Sequence, residues 1–598
     1  MTKIWRNALL CLGLTFGAAL VAVGQDKAAD TPAEAEFRRG FFLQVHERDA
    51  AGAATAYEKA AADPTATDSV RSQAKTRLAQ VREDIASANL ASLMPPDCMA
   101  YAELVEPGEH IGRILKMMDL VGPPAGGEKP TGKPVRLGDG LQLPADFAIS
   151  PALVNELKKL RGAAVGLTAI SDKGQPEGLI VIHPGDCDLV RGAIETGVQL
   201  LETGEPIDGY KSYRIPDLGW IVLTARLVLV SDSREQLAAT VDRMRNPQAA
   251  NLATSASFKR AAADSKGALL FAYVDGPQAV KRFGPMLKGQ EAAIIRTLAD
   301  LEHLESLVVS LTTTDNAIQL RAQLNLMSGH HNMLYALIRT APVTKRSLER
   351  VPKGAAGVLV VGLNPAGPAA APAADGKNPP SVSAMDIGRE FFNNIEELSV
   401  FAMAPAVPTQ KIPDVGVVVA VKDPAKSEAL WNQILSLATL VGARQPKPSA
   451  EVTIEGKAGR VYHFDSIPPV VVLRSDREMI IGTENAVAAS VRSQTAGTIA
   501  QDPAFAPLLA RLTPDTSKAL LVDVGRAVEI AAAMSGGRGA RDLKAVGELA
   551  RDTKFSLVTD EAPNQLTIRA ELTGLPKFKA ILSFIESQQR PQQASSTK

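Results

Sequence analysis

Cysteine is scarce. Of three residues in 598, Cys11 lies in an N-terminal apolar run, leaving Cys98 and Cys187 in the body of the chain. So few exclude a disulfide-dense scaffold, and neither has CxxC or metal-ligand spacing. Two cysteines permit one bridge or two packed thiols, and both readings stay open because a bridge depends on a Cα separation that sequence does not supply. Aromatic residues amount to 4%, with three tryptophans, which argues against stacking platforms for single-stranded nucleic acid or sugars. Excess charge is also missing: 65 Lys+Arg balance 65 Asp+Glu, so there is no electrostatic footprint for nucleic acid. Beyond the N-terminus no apolar run is long enough to span a bilayer. The stretch 221–230 is interrupted by Arg226 and reads as strands.

What is present begins with an address. Lys3 and Arg6 precede an uncharged run from Ala8 to Val23, and Ala22-Val23-Gly24 supplies small residues before Gln25. This is the pattern of a secretory signal peptide over 1–24, shorter than a membrane-spanning helix. The expected location is periplasmic or secreted. The remainder, at 45% hydrophobic and 22% charged, has the composition of a globular chain able to bury cores.

Residues 25–92 read as short helices, with Phe37, Gly40, Phe41 and Tyr57 followed by Ala74, Leu78, Val81 and Ile85 at helical spacing. The placing of Gly40, Ala54, Tyr57 and Ala60-Ala61 resembles a tetratricopeptide-like helix pair, in which small residues let antiparallel helices approach closely. So short a segment needs a neighbour to bury its apolar face, either the next domain or a partner protein.

The rest of the chain repeats itself. Arg226 to Glu235 matches Arg477 to Ala486, and Leu252 to Phe258 matches Ile499 to Phe505. Ala268 to Val274 matches Ala519 to Val524, and Ile318 to Leu324 matches Leu566 to Leu572. Two homologous α+β domains are expected, 93–345 and 351–590, followed by a disordered tail at 591–598. Helix starts are expected at Asp232 (with Glu235 in capping-box spacing), Thr483, Ser255, Asp502-Pro503 and Asp423-Pro424. In 318–324, Ile318, Leu320, Ala322 and Leu324 share one face while Gln319, Arg321 and Gln323 share the other, so the sheet should have one wet, polar face. Short polar turns such as Asp172-Lys-Gly174 and Thr314-Asp-Asn316 favour antiparallel pairing, with helices covering the sheets. Gly122 to Pro134 and Asn364 to Pro380 read as low-complexity loops.

The repeated unit opens on a proline-containing turn into a strand, Pro95-Pro-Asp-Cys-Met-Ala-Tyr-Ala-Glu-Leu104, and later runs strand, helix, short helix with Phe, strand over Leu227 to Val274 and Met479 to Val524. In this pattern it resembles a family of exported bacterial proteins of unknown function. The resemblance implies the architecture and carries over no activity.

No motif names a reaction. Gly127 to Lys133 has the glycine and lysine spacing of a phosphate loop, but Pro134 replaces the Ser/Thr and no strand-to-helix context surrounds it. Gly536-Gly-Arg-Gly539 reads as a helix interruption. The seven histidines show no HExxH spacing, and no GxSxG is present. His183 with Asp186, Cys187 and Asp188 admits a nucleophilic or metal cluster, or simply a helix start capped by Asp186 or Asp188 over a packed thiol. His330-His331 after Gly329 reads as a surface turn. Arg321 and Arg569 hold equivalent strand positions, with Gln323 and Glu571 two residues along; they suit either an anion or a solvated sheet face. No catalytic, cofactor-binding or metal residue is assigned. The leading expectation is a noncatalytic exported binding or scaffolding protein of the cell envelope with a protein partner, no nucleic acid and no integral span. The alternatives are a carrier of an apolar ligand between sheet and helices, and a hydrolase or metalloenzyme using the first repeat around His183 and Cys187.

Overall fold

The computed structural model describes residues 31–121, 135–137, 141–143, 149–170, 175–216, 219–246, 248–284, 289, 296–363, 394–406, 412–423, 425, 447–463, 468–475, 477–535 and 537–585. The expected signal peptide 1–24, the phosphate-loop-like 127–133, the low-complexity stretches 122–134 and 364–380, the helix expected after Pro424 and the expected tail 591–598 lie outside them. The class is α+β. By compactness the chain forms two units, Met1–Pro95 with Thr203–Ala253, and Pro96–Glu202 with Thr254–Lys598.

In the first unit three helices, Pro32–Phe42, Ala50–Ala62 and Asp68–Ser87, pack through small residues. Thr31 opens the first with a capping box, its hydroxyl accepting from Glu34 N at 3.3 Å while Glu34 Oε2 accepts from Thr31 N at 3.1 Å. Gly40 sits against the fully buried Tyr57, and a Cβ at position 40 would lie 2.8 Å from that ring. Here glycine is required by space, as the helix-pair spacing suggested.

The third helix closes on its own chain. The buried Glu83 accepts from Arg226 N at 2.6 Å and from the Thr224 hydroxyl, and Asp84 pairs with the Arg226 guanidinium. Arg243 Nε, from helix Arg234–Arg245, donates to Leu93 O at 2.8 Å. The neighbour that the short helices need is thus the strand meander Lys211–Ile215, Gly219–Leu223, Val228–Ser231 and the helix after it. That helix starts one residue later than expected. Ser233, not Asp232, accepts from Gln236 N at 3.2 Å, and Asp232 instead accepts from the Ser231 hydroxyl.

The second unit is built on an antiparallel sheet. Its strands are β1 (Ala100–Val105), β2 (Gly162–Ile170), β3 (Pro176–His183), β4 (Leu270–Asp275), β5 (Leu304–Thr313), β6 (Ala317–Leu326), β7 (Gly357–Gly362), β8 (Ile395–Met403), β9 (Asp414–Val421), β10 (Lys447–Ile454), β11 (Lys457–His463), β12 (Val470–Ser475), β13 (Glu478–Gly482), β14 (Thr516–Asp523), β15 (Lys554–Ala562) and β16 (Gln565–Thr573). They pair in the order β3-β2-β1-β4-β5-β6-β16-β15-β14-β7-β8-β9-β13-β12-β11-β10. The run from β3 to β6 and the run from β9 back to β16 have the same internal order, and they meet where β6 pairs with β16. Both sequence stretches therefore share one sheet, so compactness does not break at residues 345–351. The linker between them is held across the sheet by the buried Glu397, which accepts from Lys345 N and Ser347 N at 2.9 Å and from Thr344 N.

Direct ladder partners lie on the same face, so the register sorts the side chains. One face carries Tyr101, Phe271 and Tyr273 in the first run and Val358, Val360, Ala519 and Leu521 in the second. Helix Ala256–Asp264 lays Phe258 edge-on against Phe271 and Tyr273, at centroid distances of 5.6 and 5.2 Å. Phe505 fills the matching place in the second run, fully buried in one cluster with Val358, Val360 and Leu521. Burying each of these rings contributes about 1.5–3 kcal/mol. Gln319, Arg321 and Gln323 stand on this same, helix-covered face, because Ser310 pairs with both Phe271 and Arg321.

The wet-face expectation for β6 is therefore reversed. Gln323 is 5% exposed whereas Leu320 is 44% exposed. Leu320 belongs to an in-register row, Leu104, Leu270, Leu311, Leu320, Ala570, Leu557, Leu520 and Leu359. Leu104, Val165, Ile180, Leu320, Leu359 and Ile568 are all exposed on that face. Strands beyond the immediate partners, by placing Phe271 and Val558 in the same row and on the same face as Arg321, decide which side the helices cover.

Other expected starts divide. Thr483 caps helix Glu484–Ala496, accepting from Ala486 N. Ser255 is the N-cap residue of Ala256–Asp264 without a side-chain cap bond, its hydroxyl turning to Ser257. Asp502 is not a helix N-cap: it ends the 3-10 turn Ile499–Gln501, and Phe505 is the N-cap residue of Ala506–Leu509. Asp502 is buried, accepts from Ala504 N at 3.0 Å and Gly354 N at 3.3 Å, and pairs with Arg526 at 2.6 Å. Burial opposes its ionisation, and the Arg526 guanidinium with those amides outweighs that effect, holding the carboxyl below the usual range. The glycines at 537 and 539 lie inside helix Gly537–Leu549, so the interruption after helix Val524–Met534 precedes them.

Candidate functional site

The β6–β16 seam has a particular symmetry. The segments that match in sequence, 318–324 and 566–572, pair with each other about their own centres, Ile318 opposite Leu572, Arg321 opposite Arg569 and Leu324 opposite Leu566. Two guanidinium groups that hold equivalent positions are thereby made direct neighbours. Like charges directly opposite in a ladder are destabilising, and three carboxylates are drawn in. Asp560 accepts from Arg569 Nε at 2.9 Å, and Asp264 Oδ2 lies 3.8 Å from Arg321 Nη2. Glu571 pairs with Arg511 and accepts from Gln319 Nε2 at 2.9 Å.

Above this floor lies an open cleft of about 320 Å³ between the end of helix Ala256–Asp264 and the turn that carries Arg511. Lys266, Arg321, Arg511 and Arg569 line it, with Asp264 and Glu571, and with the hydroxyls of Ser265, Ser310, Thr312 and Ser556. Lys266 is exposed and makes no ion pair among the described residues. With Asp560 included, four cations face three carboxylates, which leaves one positive charge in excess. A second polar cleft of about 350 Å³ shares Asp264 with the first and is lined by Arg260, Glu305, Gln323, Asn325 and Gln565 among others.

Three enclosed polar atoms of residues lining these clefts have no hydrogen-bond partner among the described residues: Ser265 Oγ, Arg321 Nε and Gln323 Oε1. Buried polar groups are normally satisfied, so these three atoms are hydrogen-bonding capacity left unused beside the clefts, as it also is at Arg339 Nε, Thr340 Oγ1 and Arg350 Nη1. Of the residues singled out from sequence, the fold thus gathers Arg321, Arg569 and Glu571 in one cleft and puts Gln323 in the next. Sequence reasoning missed Asp264, Lys266, Arg511 and Asp560. One signal was available: Asp264 follows Phe258 by as many residues as Arg511 follows Phe505, so the matched segments carry opposite charges at one position.

The His183 cluster does not converge on a reaction centre. His183 Nδ1 accepts from Gly185 N at 3.1 Å, closing the turn after β3. Gly185 has φ 63°, and a Cβ there would lie 1.9 Å from Lys159 O, so only glycine fits. Neither Asp186 nor Asp188 caps helix Asp188–Val198. The N-cap residue is Cys187, which makes no side-chain cap bond, and Glu156 from helix Pro151–Leu157 accepts from Asp188 N at 2.5 Å instead. Asp186 turns to Arg191 at 3.8 Å. Cys187 and Cys98 are both buried and are not joined in a disulfide.

His330 closes the turn from Met327, its N–H donating to Met327 O at 3.3 Å, and His331 follows that turn. His330 Nε2 lies 2.9 Å from Pro563 O, and Asp300, bonded to His303 Nδ1 at 2.8 Å, accepts from His331 N at 2.5 Å. Among the described residues no three His, Cys, Asp or Glu side chains form a metal-holding group, and no helix is long and apolar enough to cross a membrane.

No family model matches the chain, and no curated protein matches it. Three solved structures of TP0453 are similar to parts of it. Crystal form III has a TM-score of 0.23 and 12% identity, covering 42% of this chain and 84% of that one. Crystal form I has a TM-score of 0.23 and 11% identity, covering 42% and 82%. Crystal form IV has a TM-score of 0.23 and 10% identity, covering 39% and 79%. A likeness of that degree assigns no function.

Proposed function

We propose that the chain is a noncatalytic exported binding or scaffolding protein of the cell envelope, made of one ancestral α+β module copied in tandem over 93–345 and 351–590. The matching strand order of the two runs and the pairing of 318–324 with 566–572 support the duplication. The signal-like residues 1–24 support export. The observation that carries the binding role is the sheet face on which Leu104, Val165, Ile180, Leu320, Leu359 and Ile568 are exposed together. Contiguous apolar surface of this kind marks an interaction site. It is open and spread over many strands, which suits the face of a protein partner better than a small apolar ligand, since pockets for those bury most of the ligand.

The test is a photo-crosslinking amino acid at Leu320 or Ile568 in the full chain expressed in its native envelope, followed by fractionation. The expected result is a discrete protein adduct in a periplasmic or secreted fraction, reduced by Leu320→Asp. A lipid adduct without protein would support the apolar-ligand carrier instead. Retention in the cytosol with residues 1–24 intact would refute export.

A further inference from the structure

On the face opposite that apolar surface, we infer a binding site for an oxyanion that carries hydroxyl groups, a phosphate or carboxylate on a polyol body. The site is the pair of clefts at the β6–β16 seam. The anionic end belongs in the first cleft. There Lys266 is an exposed ammonium at the rim with no ion pair among the described residues, and Arg321, Arg511 and Arg569 add guanidinium groups, the Arg321 Nε being an enclosed donor with no acceptor among those residues. Guanidinium forks match the geometry of carboxylate and phosphate oxygens, and hydrogen bonds to an ionised acceptor are the strong ones. One positive charge in excess means that a single anion neutralises the cluster rather than overloading it.

The second cleft asks for the opposite partner. Gln323 is 5% exposed; its Nε2 donates to Asn325 Oδ1 at 2.9 Å, so its orphan Oε1 can only accept. Oε1 is enclosed, so a ligand hydroxyl supplies the missing donor once the Gln323 side chain turns toward the cleft. Ser265 Oγ, with its residue 9% exposed, lines the first cleft as a hydroxyl able to donate or accept. The two clefts meet at Asp264, cationic on one side and amide-rich on the other, which suits an elongated ligand with its charge at one end. The competing account is that the ion pairs only clamp the seam. That account explains Asp560 with Arg569 and Glu571 with Arg511, but leaves Lys266, which has no ion pair among the described residues, and the excess positive charge of the open cleft without a role.

The experiment is calorimetric titration of the full chain with inorganic phosphate, glucose 6-phosphate and glucose at constant ionic strength. Saturable binding is expected for both phosphates, tighter for glucose 6-phosphate, with no binding of glucose. Lys266→Gln touches an exposed, unpaired side chain, so it leaves the melting temperature unchanged and weakens binding by about tenfold. Arg321→Lys keeps the charge but removes Nε, and is expected to weaken binding similarly. No saturable binding of either phosphate, equal affinities in the parent and both variants, or equal competition by chloride would overturn the site. Equal affinity for phosphate and glucose 6-phosphate would overturn the polyol requirement and with it the second cleft. None of these outcomes bears on the apolar face, whose test is separate.

Discussion

Arg321 and Arg569 are direct register partners on adjacent antiparallel strands, each drawn to a carboxylate of its own. Asp560 is the more heavily used of these acids, accepting from Arg569 and from the hydroxyls of Thr513 and Thr516, both at 2.8 Å. Asp560→Ala should destabilise the sheet unit by about 2–3 kcal/mol, because it leaves a partly buried guanidinium and two hydroxyls without their acceptor. Urea unfolding followed by circular dichroism measures this, and a loss within experimental error would show that the pair is screened.

Leu320 separates the two possible orientations of the sheet. Its strand alternation marks it as a core residue, for which Leu→Ala costs about 2–5 kcal/mol. On the exposed face found here, Leu320→Ala should stay within about 0.5 kcal/mol of the parent. A chemical denaturation midpoint shifted by the larger amount would mean that this face is covered.

Gly40→Ala places a methyl group 2.8 Å from the Tyr57 ring. The ring is fully buried and its hydroxyl donates to Gln44 Oε1 at 2.9 Å, so it has little freedom to yield. Overpacking of this kind costs about 1–3 kcal/mol. Hydrogen exchange across 31–87 should accelerate, while amides of β14 and β15 keep their protection.

Glu397 offers a test of the linker. Glu397→Gln turns one acceptor oxygen into a donor facing the amides of residues 344–347, at a cost of about 1–3 kcal/mol. Limited proteolysis should then cut near residue 345 where the parent resists; an unchanged digestion pattern would count against the role assigned to this carboxylate.

His110 gives a pH dependence with a definite sign. Burial lowers its pKa below the ordinary imidazole value of 6.5, and Arg113 adds to this against the opposing pull of Glu106 and Glu109. As pH falls through 6.5 the unfolded chain takes up the proton first, so unfolding free energy declines from there toward the folded pKa and levels off below it. The ring nitrogen Nδ1 lies 2.7 Å from Thr313 Oγ1. The difference between parent and His110→Gln stability profiles should carry this step; parallel profiles would exclude it.

Much of the architecture was legible because it rests on local rules. The α+β class, the close helix pair at Gly40 and the start at Thr483 follow from spacing and capping chemistry. Caps failed where a better acceptor came from elsewhere: Glu156 took the amide that Asp186 or Asp188 was expected to satisfy, and Asp502 was claimed by Arg526. The cleft was half legible. Arg321, Arg569 and Glu571 stood out by their equivalent positions, whereas Asp264, Lys266, Arg511 and Asp560 come from separate turns and strands that only folding gathers.

By itself the amino-acid order determined which residues alternate along each strand, because the two-residue period of extended backbone is a property of the chain alone. It did not determine which alternating set faces inward. That choice was made by tertiary structure: ladder register aligned Arg321 with Phe271 and Ala519, and the helices that bury those residues enclosed the polar set and left the leucines exposed.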